Sequence, residues 1–405
     1  MGKVARKSAS ILAVSGILLL FVLAHFGHHL VSAMLSPLMP YIRDDFKLSF
    51  TQIGFLQSSF SLSYGFSQIP LGWLSDRVGR RVLITLGISG MALCAFLIGF
   101  APNYYFMVAF LILMGIMGGG YHPASAPLVS ATVDPSQRGK ALGIHQIGGT
   151  GSQLIAPLIA TIVAALWGWR NSYIVLGIAT FLLGLLLFIL LRGNGQGGKA
   201  ARKVATEAQP KERLSASFWR RMIAFLILST VVQGFTGSVN SLSTLFLVDH
   251  YGVSKELAGT MYALIQAGGL IGGPLGGYLS DRVGSLRIIL ILSFVAVPAV
   301  YLFTVVPFGY VTVGVLLAMI GFCQWGRMPV SEAYIMNETS EHGRSTILGI
   351  YYAAGRAFPG LISPVVGIIS DHYGLSTSYT VIAIIIAALT VICSLFLWEK
   401  KPAQA

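Results

Sequence analysis

Long apolar stretches recur along the whole chain, and they constrain its fold more than any other feature. An α-helix of about 20 apolar residues crosses the hydrocarbon core of a bilayer, and only helices and closed barrels satisfy their backbone groups there. The chain has 405 residues, of which 55% are hydrophobic and 10% are charged, and water-soluble domains do not have this composition. We therefore predict an all-α membrane protein with twelve transmembrane helices. They are placed at residues 11–40, 51–73, 82–100, 104–131, 138–166, 171–192, 218–247, 256–279, 286–305, 310–336, 344–369 and 378–398.

The chain also contains an internal repeat. The segment G-W-L-S-D-R-V-G-R-R at residues 72–81 follows the second apolar stretch, and G-Y-L-S-D-R-V-G stands 205 positions later at residues 277–284. Further along, Pro123 and Gly143 match Pro329 and Gly349 at an offset of 206. Repeated membrane halves of this kind are typical of secondary transporters. We therefore predict two pseudo-symmetric six-helix halves, residues 1–192 and 218–405, joined by a polar cytoplasmic tether at residues 193–217.

The net charge of +13 is explained by membrane orientation. If both termini are cytoplasmic, the inner segments carry 21 of the 27 Lys and Arg residues, the outer loops carry 4, and two lie within apolar stretches. Positive charge concentrates on the cytoplasmic side of inner-membrane proteins. The sequence therefore predicts an inner-membrane protein with both termini in the cytoplasm, and it gives no reason to expect a nucleic-acid partner.

The repeated segment resembles the signature loop of the major facilitator superfamily, and the resemblance extends to the number of spans, the tether and the weaker second copy of the loop. It implies a twelve-helix transporter that works by alternating access. In that family the acid and the bases of the loop link the two halves at the cytoplasmic face and favour the outward-facing state. The resemblance assigns this gating role to Asp76, Arg77, Arg80, Arg81, Asp281 and Arg282.

A second resemblance concerns a subfamily. His25, the G-G-G-Y-H-P segment at residues 118–123 and the H-Q-I-G-G-T-G-S segment at residues 145–152 are similar to parts of the fosmidomycin-resistance-type bacterial exporters. This resemblance implies efflux of a drug-like compound. The chain departs from that group at His28, His29 and His145, so the substrate does not follow from the resemblance.

The first apolar stretch contains three histidines. His25, His28 and His29 are three and four residues apart, which places them on one side of a helix. Three interpretations are open: structural hydrogen bonding, uptake and release of a coupling proton, and metal ligation. The sequence shows no intramembrane carboxylate or thiolate that would complete a metal site, so we predict none. We take these histidines and Glu332 as proton-coupling candidates.

Two arginines lie inside apolar stretches of the second half, Arg327 and Arg356. Arginine stays charged at any relevant pH, and its forked donors suit a carboxylate, phosphonate or sulfonate. The alternative is a structural ion pair between one of them and Glu332. The predicted substrate-binding side chains are Arg356, Arg327, His122, His145, Gln146, Gln233, Asn240 and Gln324.

Together these features predict a secondary active transporter, acting as a monomer, that moves a small organic anion or an amphiphilic acidic compound at a site between its halves. We expect proton coupling, a slight preference for efflux and no cofactor. ATP is not the expected energy source, because the chain lacks a GxxxxGK[ST] phosphate loop. One alternative is a proton-coupled importer or exchanger of a metabolite carboxylate. A membrane sensor that does not transport is another. An enzyme is not predicted, because no nucleophile or acid–base pair stands out.

Overall fold

The computed structural model describes residues 2–134, 137–191, 216–307, 309–339 and 341–397. Every regular element in these ranges is a helix, so the all-α prediction is confirmed. Nearly all of the predicted tether at residues 193–217 lies outside the described residues.

The first nine α-helices precede the tether, and a π-helical segment, Leu86–Gly90, connects the fourth and fifth of them. They are α1 (Gly2–Ser32), α2 (Leu35–Phe46), α3 (Phe50–Val78), α4 (Arg80–Thr85), α5 (Met91–Gly99), α6 (Tyr104–Gly119), α7 (Tyr121–Ala131), α8 (Arg138–Trp167) and α9 (Trp169–Leu190).

Five helices follow the tether, and the last of them changes direction at Gly374, where φ is 80°. They are α10 (Ala216–Tyr251), α11 (Lys255–Val283), α12 (Ser285–Val305), α13 (Tyr310–Glu338) and α14 (Glu341–Leu397).

Nine helical stretches among the described residues are long and apolar enough to cross a membrane. Two helices outside that set, α3 and α11, are 29 residues each and so are long enough, but they carry many Ser, Gln and Gly residues. The last of the nine stretches, residues 347–397, covers both the eleventh and the twelfth predicted spans. A multipass membrane fold is therefore established, and the number of twelve crossings stays a prediction.

The chain divides into two compact units. The first comprises residues 1–46 and 59–207, and the second comprises residues 47–58 and 208–405. The first turns of α3 thus group with the second unit, where they contact α14. The backbone N–H groups of Phe50 and Thr51 donate to the Asp371 carboxylate at 2.7 and 2.9 Å, and the Thr51 hydroxyl donates at 2.6 Å. Asp371 therefore caps the start of α3 and meets the positive end of its dipole.

Asp371 lies between the eleventh and twelfth predicted spans, and its environment shifts its acidity. Burial alone would raise the pKa of the Asp371 carboxyl, but the hydrogen bonds from Thr51, Phe50 and Ser49 outweigh it and hold the pKa below its usual value. The contact with α3 is therefore strongest when Asp371 is ionised.

Close backbone packing fixes the helices that carry the polar residues. In the first unit, a Cβ added at Gly148 of α8 would lie 2.0 Å from the Val22 carbonyl oxygen of α1. In the second unit, a Cβ at Gly268 of α11 would lie 1.9 Å from the Ala318 carbonyl oxygen of α13. Small residues let membrane helices approach this closely. The pair of α1 with α8 and the pair of α11 with α13 are therefore each held in one register.

Candidate functional site

A cluster of histidines occupies the core of the first unit. His25, His28 and His29 of α1 meet His122 of α7 and His145 of α8. The ring centroids of His25 lie 4.9 Å from His29, 5.3 Å from His122 and 4.3 Å from His145. His25 and His28 are fully buried, and His29 and His145 are 9% and 4% exposed. The structure thus brings together all five intramembrane histidines that the sequence singled out.

Backbone carbonyl groups fix the tautomers of two of these rings. Nδ1 of His25 lies 3.0 Å from the His145 carbonyl oxygen, and Nδ1 of His145 lies 3.0 Å from the Phe21 carbonyl oxygen. A carbonyl oxygen can only accept, so each Nδ1 carries the hydrogen and the lone pair of the neutral ring is at Nε2. Gly149 permits this arrangement, because a Cβ there would lie 2.5 Å from the His25 ring.

His28 has a different environment from its neighbours. Its Nδ1 donates to the Gly87 carbonyl oxygen at 2.7 Å, and its Nε2 lies 3.0 Å from the Tyr64 hydroxyl, which can donate to it. The ring also stacks on Tyr121 at a centroid distance of 4.1 Å. Both nitrogens of His28 are engaged, so this histidine is held as part of the structural wall of the cluster.

The other two histidines complete a compact group of ring nitrogens. His122 is partly buried, and one ring nitrogen from each of His25, His29 and His122 lies within 4.8 Å of the other two. The Gln153 side-chain amide lies 3.3 Å from Nδ1 of His29. By contrast, the neighbouring Gln146 is exposed, so it does not join this group.

The second unit contains a buried cation. Arg327 on α13 is 4% exposed, and its Nη1 donates to the Ser293 hydroxyl of α12 at 3.4 Å. Within the described part of the chain, its Nε has no acceptor and no carboxylate lies at ion-pairing distance. The guanidinium is therefore desolvated without a counter-charge from those residues.

Several polar groups of α13 and α14 surround this arginine. The buried Tyr351 interacts electrostatically with Arg327, Arg356 and Glu332, and the Tyr352 hydroxyl donates a hydrogen bond to the Glu332 carboxylate. Arg356 and Glu332 are half-buried. The sequence does not single out these two tyrosines, because tyrosine gives no distinctive signal in an apolar helix.

Amide side chains extend the polar surface toward α10. The Asn240 amide donates to the Gln324 side-chain oxygen of α13 at 3.4 Å. Gln233 packs against Gly355, where an added Cβ would lie 3.3 Å from its side-chain oxygen. Gln324 therefore shares α13 with Arg327, and Asn240 and Gln233 of α10 contact α13 and α14.

The repeated loops share a stacking arrangement that the sequence did not reveal. The guanidinium carbon of Arg77 lies 3.4 Å from the centroid of the Trp73 ring, and that of Arg282 lies 4.4 Å from the centroid of the Tyr278 ring. In both copies an arginine thus stacks on an aromatic ring one helical turn earlier.

The remaining predicted gating residues have different environments from one another. Arg81 stacks on Phe188 at 3.7 Å, Arg80 is half-buried and Asp281 is exposed, and the Asp76 side chain lies outside the described residues. The gating role of the loops stays a prediction.

Comparisons with known proteins agree with this architecture. The model of the Major Facilitator Superfamily matches residues 21–351. The chain is 27% identical over 328 residues to the multidrug resistance protein MdtG of Proteus mirabilis, covering 78% of this chain and 79% of MdtG. It is 30% identical over 287 residues to the probable sulfoacetate transporter SauU of Cupriavidus necator, covering 66% of this chain and 65% of SauU.

Solved structures show the same fold. A bacterial homolog of the human lysosomal transporter Spinster, in an inward-facing and unoccupied conformation, superposes with a TM-score of 0.78 at 17% identity, covering 96% of this chain and 99% of that one. The nucleoside transporter NupG superposes with a TM-score of 0.74 at 16% identity, covering 95% and 99%. Since the family match extends over most of the sequence, the chain belongs to the Major Facilitator Superfamily and is a multipass membrane transporter, not an enzyme.

Proposed function

We propose that this transporter moves small organic anions and that Arg327 anchors the anion. The observation that carries this proposal is the burial of the Arg327 guanidinium, 4% exposed, with one long hydrogen bond and no carboxylate partner among the described residues.

The physical argument concerns desolvation. Removing a charged group from water costs several kcal/mol per ion, and this is offset only by a well-placed opposite charge with further hydrogen bonds. Arginine keeps its proton, so loss of its charge does not remove this desolvation cost. A substrate anion can supply the missing charge, and a planar carboxylate or a sulfonate can accept two parallel hydrogen bonds from the guanidinium.

The chemistry of one relative supports this class of substrate. Sulfoacetate, the compound in the name of the Cupriavidus necator relative, carries a sulfonate and a carboxylate. Arg327 and Arg356 both interact with Tyr351, so two cations lie near the same side chain of the second unit and favour a dianion over a monoanion. Small sulfonates and dicarboxylates are therefore the first substrates to test.

We assign proton coupling to Glu332. Its carboxylate, Arg327 and Arg356 all interact with Tyr351, and Tyr352 donates to it. An ionised Glu332 and a bound anion would compete for the same positive field, so anion binding should favour protonation of Glu332. Anion and proton would then move together, which in an inner membrane with an inward proton gradient means uptake.

Export by proton exchange is the second candidate. It is supported by relatives that are 25% to 27% identical and carry the name multidrug resistance protein MdtG. In either direction we place the chain in the inner membrane with both termini in the cytoplasm, on the distribution of its Lys and Arg residues, and we expect a monomer to suffice.

Proteoliposomes loaded with a pH-sensitive dye test both candidates. External sulfoacetate or a dicarboxylate should acidify the lumen if proton and anion move together, whereas exchange should make it alkaline. Arg327→Gln should abolish the response, and Arg287→Gln, which changes an exposed arginine of α12, should preserve it. A normal response from Arg327→Gln would overturn the anion site, and a lumen that stays at constant pH while labelled anion accumulates would overturn the coupling.

A further inference from the structure

We propose that His25, His29 and His122 form a binding site for a divalent transition metal ion, with Zn²⁺ as the first candidate. The inference concerns the first unit and is independent of the anion site. The sequence predicted no metal site, because it shows no intramembrane carboxylate or thiolate that would complete one. The structure supplies a third imidazole instead, His122 of α7.

The first argument is geometric. His25 and His29 are four residues apart and therefore lie one above the other on the same face of α1, and His122 faces them. The three candidate ligand atoms lie within 4.8 Å of one another. Zn–N bonds are about 2.0 to 2.1 Å, so tetrahedral ligand nitrogens stand about 3.3 Å apart. Rotations that move the rings by about 1 to 1.5 Å would close the site around an ion.

The second argument concerns the hydrogen bonds that support the ligands. Histidines that bind metals usually donate their other ring N–H to a carbonyl or carboxylate, which fixes the tautomer and the ring orientation. His25 has this arrangement, because its Nδ1–H donates to the His145 carbonyl oxygen at 3.0 Å and leaves Nε2 with the lone pair. The Gln153 side-chain amide lies 3.3 Å from Nδ1 of His29; with its oxygen turned to the ring it would accept the Nδ1–H and leave the Nε2 lone pair for the ion.

His28 differs in role from the three candidate ligands. His28 is as buried as His25, but Gly87 and Tyr64 engage both of its nitrogens, so it has no lone pair to offer. The rings of His28 and Tyr121 stack at 4.1 Å and form an apolar wall behind the three ligands.

The choice of metal follows from the ligand atoms. Three neutral imidazoles suit Zn²⁺, Co²⁺, Ni²⁺ or Cu²⁺ and do not suit Mg²⁺ or Ca²⁺, which prefer oxygen. Three histidines fill three positions of a tetrahedral ion and leave the fourth open for water or for an anionic oxygen. At such short distances the imidazole rings cannot all be protonated, because the like charges repel. Rings that stay neutral keep a lone pair for the ion.

The experiment uses the full-length protein, purified with a tag that lacks histidine and stripped with a chelator. Co²⁺ is the probe, because its visible absorption reports tetrahedral nitrogen coordination, and Zn²⁺ is then added as a competitor. We expect one Co²⁺ per chain, displaced by Zn²⁺. Gln153→Leu should weaken binding about 10- to 100-fold, as expected for a supporting residue, and His122→Gln should weaken it more. His372→Gln, which changes an exposed histidine, should bind like the wild type.

His122→Cys keeps the test decisive if His122→Gln does not fold. A thiolate at this position should bind Co²⁺ with a new sulfur-to-metal band in the near ultraviolet, which only direct ligation produces. The proposal is overturned if the wild type gives no cobalt spectrum, if His122→Gln binds as tightly as the wild type, or if His372→Gln abolishes binding. None of these outcomes affects the anion proposal, since the dye assay measures that function separately.

Discussion

Replacing Arg327 with Met should change ligand binding and stability in opposite directions. Removing one partner of a buried, hydrogen-bonded charge pair costs about 2 to 5 kcal/mol of binding free energy, which corresponds to an affinity loss of about 30-fold to several thousand-fold. In the ligand-free protein the same arginine is 4% exposed and has one hydrogen bond of 3.4 Å. Replacing a buried ion with a well-packed apolar side chain is often neutral or stabilising by about 1 to 4 kcal/mol. Arg327→Met should therefore unfold at the same temperature as the ligand-free wild type or higher.

Thermal unfolding with and without anion measures both effects in one experiment. A ligand at about 100 times its dissociation constant stabilises the folded state by about 2.7 kcal/mol, so saturating sulfoacetate should raise the unfolding temperature of the wild type. The variant should show no such rise. Arg287→Met serves as the control, because that arginine is exposed. Marked destabilisation of ligand-free Arg327→Met would show that the arginine is a structural ion, and a preserved ligand effect would show that the anion binds elsewhere.

Three further predictions concern packing, pH and cycling. Gly268→Ala should destabilise the second unit by about 1 to 3 kcal/mol through overpacking, whereas Gly273→Ala on the same helix has no atom within 4 Å of the added Cβ and should be neutral or stabilising in a comparison of unfolding temperatures. Because the pKa of Asp371 is lowered, its contact with α3 should persist above about pH 4, the usual aspartate pKa, and weaken as the pH falls through the lower folded value. The protection of the Thr51 amide, measured relative to its intrinsic exchange rate at each pH, should fall there, and Asp371→Asn should cause the same loss of protection at neutral pH. Asp76→Asn should reduce the transport rate more than the substrate affinity, and equal losses of both would contradict a role of the loop in the conformational equilibrium.

The sequence predicted the fold class because membrane burial leaves a strong signal. Long apolar stretches, few charges and a repeated loop suffice for an all-helical membrane protein, since a bilayer permits few alternatives. The same logic identified Arg327 and Arg356, because a charge inside an apolar stretch is conspicuous. The helices α3 and α11 show the limit of the approach. They are long enough to cross a bilayer but carry many polar and small residues, so their apolarity alone does not define them as spans.

The contacts within the sites could not be predicted in the same way. Helical periodicity places His25 and His29 on one face of α1, but it does not say that α7 brings His122 to that face from nearly 100 residues away. Nor does it show that the two ring nitrogens of His28 lie against the Gly87 carbonyl oxygen and the Tyr64 hydroxyl. Tyr351 went unnoticed because an aromatic residue in an apolar helix normally only packs. These features depend on which helices pack together. An apolar pattern indicates which face of a helix is buried, but it does not indicate which helix packs against that face.

The repeat identifies equivalent positions of the two units, and some of these positions carry different side chains. At the 206-residue offset that relates Pro123 to Pro329, Tyr121 corresponds to Arg327, and His145 corresponds to Tyr351. The pairs are neighbours in both units: the rings of Tyr121 and His145 stack with centroids 6.2 Å apart, and Tyr351 interacts electrostatically with Arg327. A duplicated half would have begun with the same residues at these positions. Because one position now carries a neutral ring beside histidines and its counterpart carries a permanent cation, equivalent positions of the two units offer different chemistry to a ligand.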